Sequence, residues 1–364
     1  MRTDFLSLYK RLICLFRFFI IMRVIFTEDT SEKVVLDKKD QKILSLLCQN
    51  VRLPLKKVAE QTRLSRQSVE YRLRSMEKNN LIIGSRSVID ISKLGFQSFH
   101  YFITLLDESS EAVFRKRAIS HPLVNALISY TGKYTLELAI MAASAKESQE
   151  VFLELAEGVK VSEYTASILL ETFKSAVLPT IAHVDIKDKF LRQDPSFNKQ
   201  FRLKEKEYTP DEKDLLLMTL LAEDARMSLK NLGLALGMSS DGVRYRISKL
   251  VESRYILQFR PVINFALMGL KIQSILFKTS SRSKETDKAF KQFVAGRKSV
   301  LWATELFGDW DYLVYVTNED SEHIHEFINA IRSTFTDYIN HYEVLFAYKE
   351  YKYSFMPKGL LRKV

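Results

Sequence analysis

Leu64-Ser65-Arg66-Gln67-Ser68-Val69-Glu70-Tyr71-Arg72-Leu73 decides the reading of this chain, because a close variant of it occurs again. The second version is Met238-Ser239-Ser240-Asp241-Gly242-Val243-Arg244-Tyr245-Arg246-Ile247, 174 residues further on. The offset holds without a gap in both directions. Asp37 falls on Asp211, Asp40 on Asp214, Arg52 on Arg226 and Leu55 on Leu229. Downstream, Ile82 falls on Ile256, Arg86 on Arg260 and Gly95 on Gly269. Roughly sixty residues in one register exceed chance, and self-similarity at a fixed period marks repeated structural units. Two copies are too few for a solenoid, so the expectation is a duplicated two-part module.

Working outward, Asp37 is a fair N-cap, and Ile43, Leu44, Leu46 and Leu47 form a helical stripe ending near Cys48. Asn50 to Pro54 breaks it. Leu55 to Thr62 reads as a short second helix, and Arg63-Leu64 as a tight turn. Ser65 then caps a third helix to about Asn79, with Val69, Leu73 and Met76 as its buried stripe. Leu81 to Ile91 alternates enough for a strand-like wing. The second copy repeats each part: Asp211 to Glu223, Leu229 to Ala235, a turn at Leu236-Gly237-Met238, and a helix capped by Ser239 to about Ser253. A glycine turn between two short helices is a helix-turn-helix cue.

A different pattern follows each of these segments. Ser98 to Leu106 alternates as a strand and Ser110 to Ser120 reads as a helix. Asn125 to Tyr130 and Leu136 to Ala142 read as strands joined at Gly132. Lys146 to Gly158 is a helix, and a last strand begins at Thr165. The second copy gives strands at Lys271 to Thr279, Ser299 to Leu306, Tyr312 to Thr317 and Ile339 to Phe346. Its helices are Thr286 to Ala295 and Ser321 to Phe335, and Gly308 matches Gly132. The order βαββαβ predicts an α+β, ferredoxin-like layer of helices on an antiparallel sheet. The expected organisation is an apolar extension (1–35), a winged helix-turn-helix domain (36–95) and a ferredoxin-like domain (96–179). A polar linker (180–208), a second winged helix-turn-helix domain (209–269), a second ferredoxin-like domain (270–350) and a tail (351–364) complete it.

The net charge of +11 is not spread evenly. Arg52 to Arg86 holds nine Lys/Arg against three Glu, and Arg226 to Arg260 holds seven Lys/Arg against one Asp and one Glu. These two windows account for the whole excess, as expected for two polyanion-binding surfaces on an otherwise balanced protein. Two cysteines, Cys14 and Cys48, give neither a disulfide framework nor a zinc site, and Cys48 reads as a core thiol. His323 and His325 point to different faces of a helix, so no metal site is expected. No phosphate loop, dinucleotide fingerprint or cofactor motif is present. Leu12 to Phe26 is apolar but interrupted by Arg17 and Arg23, and shorter than the about twenty residues needed to span a bilayer. It reads as a short amphipathic helix or as upstream of a true start at Met22, with the protein expected in the cytoplasm.

A helix capped by Ser65 and opening Arg66-Gln67-Ser68 suits a major groove, where Arg and Gln pair in bidentate fashion with guanine and adenine edges. Tyr71 lies on the same helix. Arg72 and Arg74 come a turn later, where phosphates are the expected partners. In the second helix Ser239 is the cap, Arg66-Gln67 becomes Ser240-Asp241, and Glu70 becomes Arg244. Tyr71-Arg72 is kept as Tyr245-Arg246, with Lys249 beyond. Positions that would meet bases differ and positions that would orient the helix match, so the two heads are expected to prefer unlike half-sites.

The runs Leu36 to Leu44 and Leu64 to Leu73, with Gly95 after the wing and the βαββαβ order, resemble the leucine-responsive/AsnC (Lrp/AsnC) family of transcription regulators. The resemblance spans about residues 36–350, twice over. It implies double-stranded DNA as a partner and a second, RAM-type domain that dimerises and binds small effectors, commonly amino acids. It also implies an effector region at a glycine-aspartate turn, here Gly308-Asp309-Trp310-Asp311, whose carboxylates would take an ammonium group. The first copy, Gly132-Lys133-Tyr134-Thr135, has lost both acids. The residues leave open whether the two sheets pair with each other or with another chain.

Two other functions compete. Sirohaem decarboxylases resemble the same architecture, but their His-Asn-Tyr-x-Arg-like run is missing: Asn125 to Tyr130 and Leu301 to Leu306 hold no His or Arg. The other is a ligand-sensing assembly module that no longer reads DNA, against which the retained basic charge argues. The expectation is a non-enzymatic DNA-binding regulator, acting as an intramolecular pseudo-dimer or a homo-oligomer.

Overall fold

The computed structural model describes residues 33–179, 208–280, 283–319 and 321–362. The apolar stretch from Leu12 to Phe26, Cys14 and nearly all of the expected linker lie outside them. Each half opens with three helices and a strand: α1 (Lys38–Gln49), α2 (Leu55–Thr62), α3 (Arg66–Lys78) and β1 (Ile82–Ile89). The first ferredoxin-like unit adds β2 (Gln97–Leu105), α4 (Glu108–Ser120), β3 (Val124–Thr131), β4 (Leu136–Ala142), α5 (Ala145–Ala156) and β5 (Val161–Ser175). The second half repeats the order as α6 (Glu212–Glu223), α7 (Leu229–Leu236), α8 (Ser240–Glu252), β6 (Ile256–Ile263), β7 (Lys271–Thr279), α9 (Lys284–Gly296), β8 (Val300–Gly308), β9 (Tyr312–Asn318), α10 (Ser321–Thr334) and β10 (Ile339–Tyr353).

The expected wings are present as single strands, and their partners lie in the opposite half. β1 pairs antiparallel with β6, with Arg86 opposite Arg260 near the middle of the ribbon. α6 packs on β1 and α1 on β6, so each head rests on the other's strand. Val51 N–H donates to Phe259 O at 2.9 Å, and Ala225 N–H to Ser85 O at 3.3 Å. The Arg52 guanidinium reaches across to Ala225 O (2.7 Å) and Met227 O (3.0 Å). Arg226 pairs with Glu77 at 3.4 Å. Part of the basic charge seen in the sequence therefore ties the heads together.

The eight remaining strands close into one barrel in the order β10-β3-β4-β2-β5-β8-β9-β7. A ferredoxin-like sheet alone leaves two open edges, and unpaired edges are costly and sticky. Here β5 pairs with both β2 and β8, and β10 with both β7 and β3. This double duty explains why both last strands run to 15 residues, beyond the Phe346 end expected for the second. The extra residues meet the opposite unit, so they carry no clean alternation to read in the sequence.

Helices cover the barrel's outside, with Phe114 and Phe152 buried beneath α4 and α5, and Phe290 and Phe335 beneath α9 and α10. The interior holds Phe102, Tyr134, Leu276, Leu306, Trp310 and Leu313. Each such side chain contributes roughly 1.5–3 kcal/mol on burial. Two lysines fasten the seams by capping helices of the opposite unit. Lys174 on β5 donates to Ala295 O and Arg297 O at the end of α9. Lys352 on β10 donates to His121 O at 2.6 Å, past the end of α4. The tail residues Met356 and Leu360 are buried, and Gly359 N–H donates to Pro122 O at 2.9 Å. That tail is thus part of the packed body.

Glu350 is buried on β10, with Arg86 3.8 Å away. Burial raises its pKa from an ordinary 4.5 to about 7, against the pull of Arg86. Between those values the folded chain binds more protons than the unfolded one, so this group's contribution to stability falls as pH rises through the window. We expect Glu350→Gln to remove that slope and to stabilise the protein above pH 7 by no more than about 3 kcal/mol. Denaturant melts of both proteins at pH 5 and pH 8 check it; parallel pH dependences would contradict it.

Candidate nucleic-acid interface

Each head fixes its third helix by the same devices. Asp37 and Asp40 form a capping box on α1, as Asp211 and Asp214 do on α6. The turn before α3 passes through a left-handed residue, Arg63 (φ 54°), and the turn before α8 through Gly237 (φ 61°). Ser65 Oγ accepts from Ser68 N–H and Ser239 Oγ from Gly242 N–H, both at 3.1 Å, completing the predicted caps. Val69, Leu73 and Met76 are buried under α3, and Val243 and Leu250 under α8.

That burial leaves Arg66, Gln67, Tyr71 and Arg74 exposed on α3, with Ser68 half-buried. On α8 it leaves Ser240, Asp241, Arg244 and Tyr245 exposed, with Lys249 half-buried. Tyr71 and Tyr245 are 76% and 63% exposed, unusual for large rings and suited to contact with a partner. Arg74 pairs with Glu70 at 2.7 Å and Arg244 with Asp241 at 2.6 Å. Lys249 Nζ lies 5.4 Å from the centre of the Tyr245 ring. The two exposed faces therefore differ in charge pattern as well as in residue type.

Arg72 and Arg246 are engaged within their own heads. Arg72 Nη1 reaches Asp37 Oδ2 and Asp40 Oδ1, each at 2.7 Å. Arg246 Nη1 reaches Asp211 Oδ1 (2.8 Å) and Asp214 Oδ1 (2.9 Å). Hydrogen bonds donated to Asp40 and then Asp37 raise the pKa of Arg72, so it stays charged. These arginines tie the third helix to the cap of the first, a role that the sequence reading did not assign them.

The glycine-aspartate turn is likewise engaged. Gly308 has φ 145°, and a Cβ there would lie 2.4 Å from Ala166 O on β5. Gly132 has φ 144°, and a Cβ there would lie 3.1 Å from Leu345 Cδ2 and 3.2 Å from Val344 O on β10. Each hairpin thus presses on the last strand of the other unit. Asp309 Oδ2 accepts from Ala166 N–H at 2.8 Å. Asp311 Oδ2 accepts from Thr279 N–H (2.7 Å) and Thr279 Oγ1 (2.8 Å). Each carboxylate therefore has a backbone partner within the chain.

Sequence reading missed a polar cluster inside the barrel. The buried Glu137 carboxylate accepts from Tyr130 OH (2.6 Å) and from Tyr315 OH (2.8 and 2.9 Å). His100 Nδ1 lies 2.9 Å from it. Burial and the Glu137 charge hold both tyrosines well above their ordinary pKa. Its members come from four strands of two units, so no local motif announces it. Among the described residues no group of three or more His, Cys, Asp or Glu is placed to hold a metal. No described helix is long and apolar enough to cross a membrane.

Residues 36–83 match the winged helix-turn-helix DNA-binding family and residues 211–251 the AsnC-type helix-turn-helix domain. Residues 274–357 match the Lrp/AsnC ligand binding domain. The proline dehydrogenase transcriptional activator of Rhizobium radiobacter is 32% identical over 113 residues, covering 30% of this chain and 71% of that protein. The chain belongs to the Lrp/AsnC family. The regulatory protein AsnC of Haemophilus influenzae is 26% identical over 138 residues, covering 36% of this chain and 91% of its own. This Lrp/AsnC chain also shares its whole fold with a solved siroheme decarboxylase, NirDL, at a TM-score of 0.57 and 15% identity. That alignment covers 90% of this chain and 97% of the other.

Arg246→Ala would remove the cation facing the fully buried Asp214 carboxylate, which keeps Tyr208 OH and Asp211 N–H, at a cost of about 1.5–3 kcal/mol. Arg66→Ala with Gln67→Ala is expected to leave the melting temperature unchanged and to weaken DNA binding. Thermal melts and DNA-binding titrations of these variants separate the two roles; a stable Arg246→Ala protein with weakened DNA binding would reverse the assignment.

Proposed function

We propose that this chain is a regulator that reads an asymmetric two-part DNA site with two unequal heads carried on one fused body. The observation that carries the reading is the β1–β6 ribbon, which fixes two differently furnished recognition helices relative to each other. Arg66 and Gln67 would read bases on one side, and Ser240, Asp241 and Arg244 on the other. Tyr71 and Tyr245 would add apolar and hydroxyl contacts to each half. Half-sites of such paired heads fall about one helical turn apart, roughly 34 Å.

An amino-acid-type effector is the ligand class that the family resemblance implies. Asp309 and Asp311 each spend one carboxylate oxygen on Ala166 or Thr279, which fixes where their remaining acceptor capacity points. We therefore assign the Gly308 turn to holding the seam between the units. Asp309→Ala should lower stability by about 1–2 kcal/mol through the orphaned Ala166 N–H. Unchanged stability together with lost amino-acid binding would restore the effector assignment.

Decarboxylase chemistry, the activity named for the solved structure that shares this fold, is the competing reading. Against it stand β3 and β8, which carry no His or Arg.

Selection from random duplex DNA at near-physiological salt tests the proposal. The expected result is one motif with unlike halves about a turn apart. Arg66→Ala should relax only one half, by about 1–3 kcal/mol of discrimination. A palindromic motif, or salt-sensitive binding without sequence enrichment, would contradict it.

A further inference from the structure

Arg86 and Arg260 face each other as direct cross-strand partners in the ribbon between the heads. Like charges in that position oppose each other and destabilise a sheet. The strands nonetheless put both side chains on the face turned to the barrel. The Arg86 guanidinium lies 5.3 Å from the centre of the Tyr353 ring, and that of Arg260 lies 4.6 Å from the Phe355 ring. The Arg86 side chain is only 14% exposed, and Arg260 is half-buried.

Their neutralisation is incomplete. Glu350 stands 3.8 Å from Arg86, too far for a hydrogen bond. Arg260 makes one hydrogen bond, to Ser175 Oγ at 3.2 Å. Each guanidinium brings five N–H donors in a planar fork, so most of their donors are unspent. Burial and the neighbouring Arg86 both work against the charge of Arg260. Two partly sheltered cations with one distant carboxylate are a positively charged pair of forks, the chemistry that bidentate oxyanions fit. Tyr353, Phe355 and the Ser175 hydroxyl lie beside the pair.

We propose that the junction between the head ribbon and the barrel binds a small oxyanion, a carboxylate or a phosphate, through Arg86 and Arg260. The site lies at the middle of the ribbon that spaces the heads and is separate from the Gly308 turn. Glu350 competes with the ligand for Arg86 when ionised. Tyr353 and Cys48 are the other titratable groups that feel the pair.

The test is calorimetric titration of the full chain, without DNA, using inorganic phosphate and, separately, malonate. Ionic strength is held constant with chloride at pH 8. The expected result is saturable binding of one ion per chain, and which of the two binds identifies the source. Arg86→Gln with Arg260→Gln should abolish it, and Glu350→Gln should tighten it about tenfold by removing the competing charge. Arg66→Ala with Arg244→Ala should leave it unchanged. Binding of neither ion, binding lost with the recognition-helix pair, or binding indifferent to Arg86 and Arg260 would overturn the proposal. If the double-glutamine variant does not fold, an unaltered affinity in Glu350→Gln overturns it. No DNA is present, so failure of the regulator reading leaves this result standing.

Discussion

Backbone hydrogen bonds that neither half can make alone hold this molecule together. β1 has no partner in its own head, and β6 none in the other; they find each other. β5 and β10 each finish one sheet and begin the next. An unpaired strand edge leaves a row of donors and acceptors exposed, and closing a barrel removes every edge. The heads and the barrel therefore form a body in which each half completes the other. The rest follows from that exchange: the crossed packing of α1 and α6, the lysine caps at the seams, and the close approach of Gly132 and Gly308.

The exchange also gives inequality a physical meaning. If the heads were loosely tethered, different recognition residues would read two unrelated sites. Held by a common ribbon, they would, on the proposed reading, meet one site with unlike halves. Inside the barrel the same asymmetry appears in polar form. Glu137 of the first unit is satisfied partly by Tyr315 of the second, while its counterpart there is Leu313. A buried carboxylate stripped of its donors costs several kcal/mol, roughly, so the network favours pairing of unlike units over like ones.

Much of this was legible in the sequence because it is local. The Asp37 and Ser65 caps, the Val69-Leu73-Met76 stripe and the position of Gly95 all depend on residues within a few turns. The exposed faces of α3 and α8 follow from those stripes. What was not legible comes from contacts between elements far apart in the chain. Arg52 looked like a polyanion contact and is a tie to Ala225. The pairing of Arg72 with Asp37 and Asp40 was hidden because it spans two helices. Asp309 looked like a free acceptor because nothing in its own hairpin shows that Ala166 lies opposite. The lengths of β5 and β10 were hidden because pairing with a second sheet leaves no simple periodicity.

The most direct test of this account is to cut the chain between residues 180 and 207 at an inserted protease site and then measure binding to the selected two-part DNA. If strand exchange sets the spacing of the heads, the nicked halves stay together and bind with affinity within about twofold of the intact chain. If the halves separate, or affinity falls to that of a single head, the ribbon and barrel seams are not what joins them.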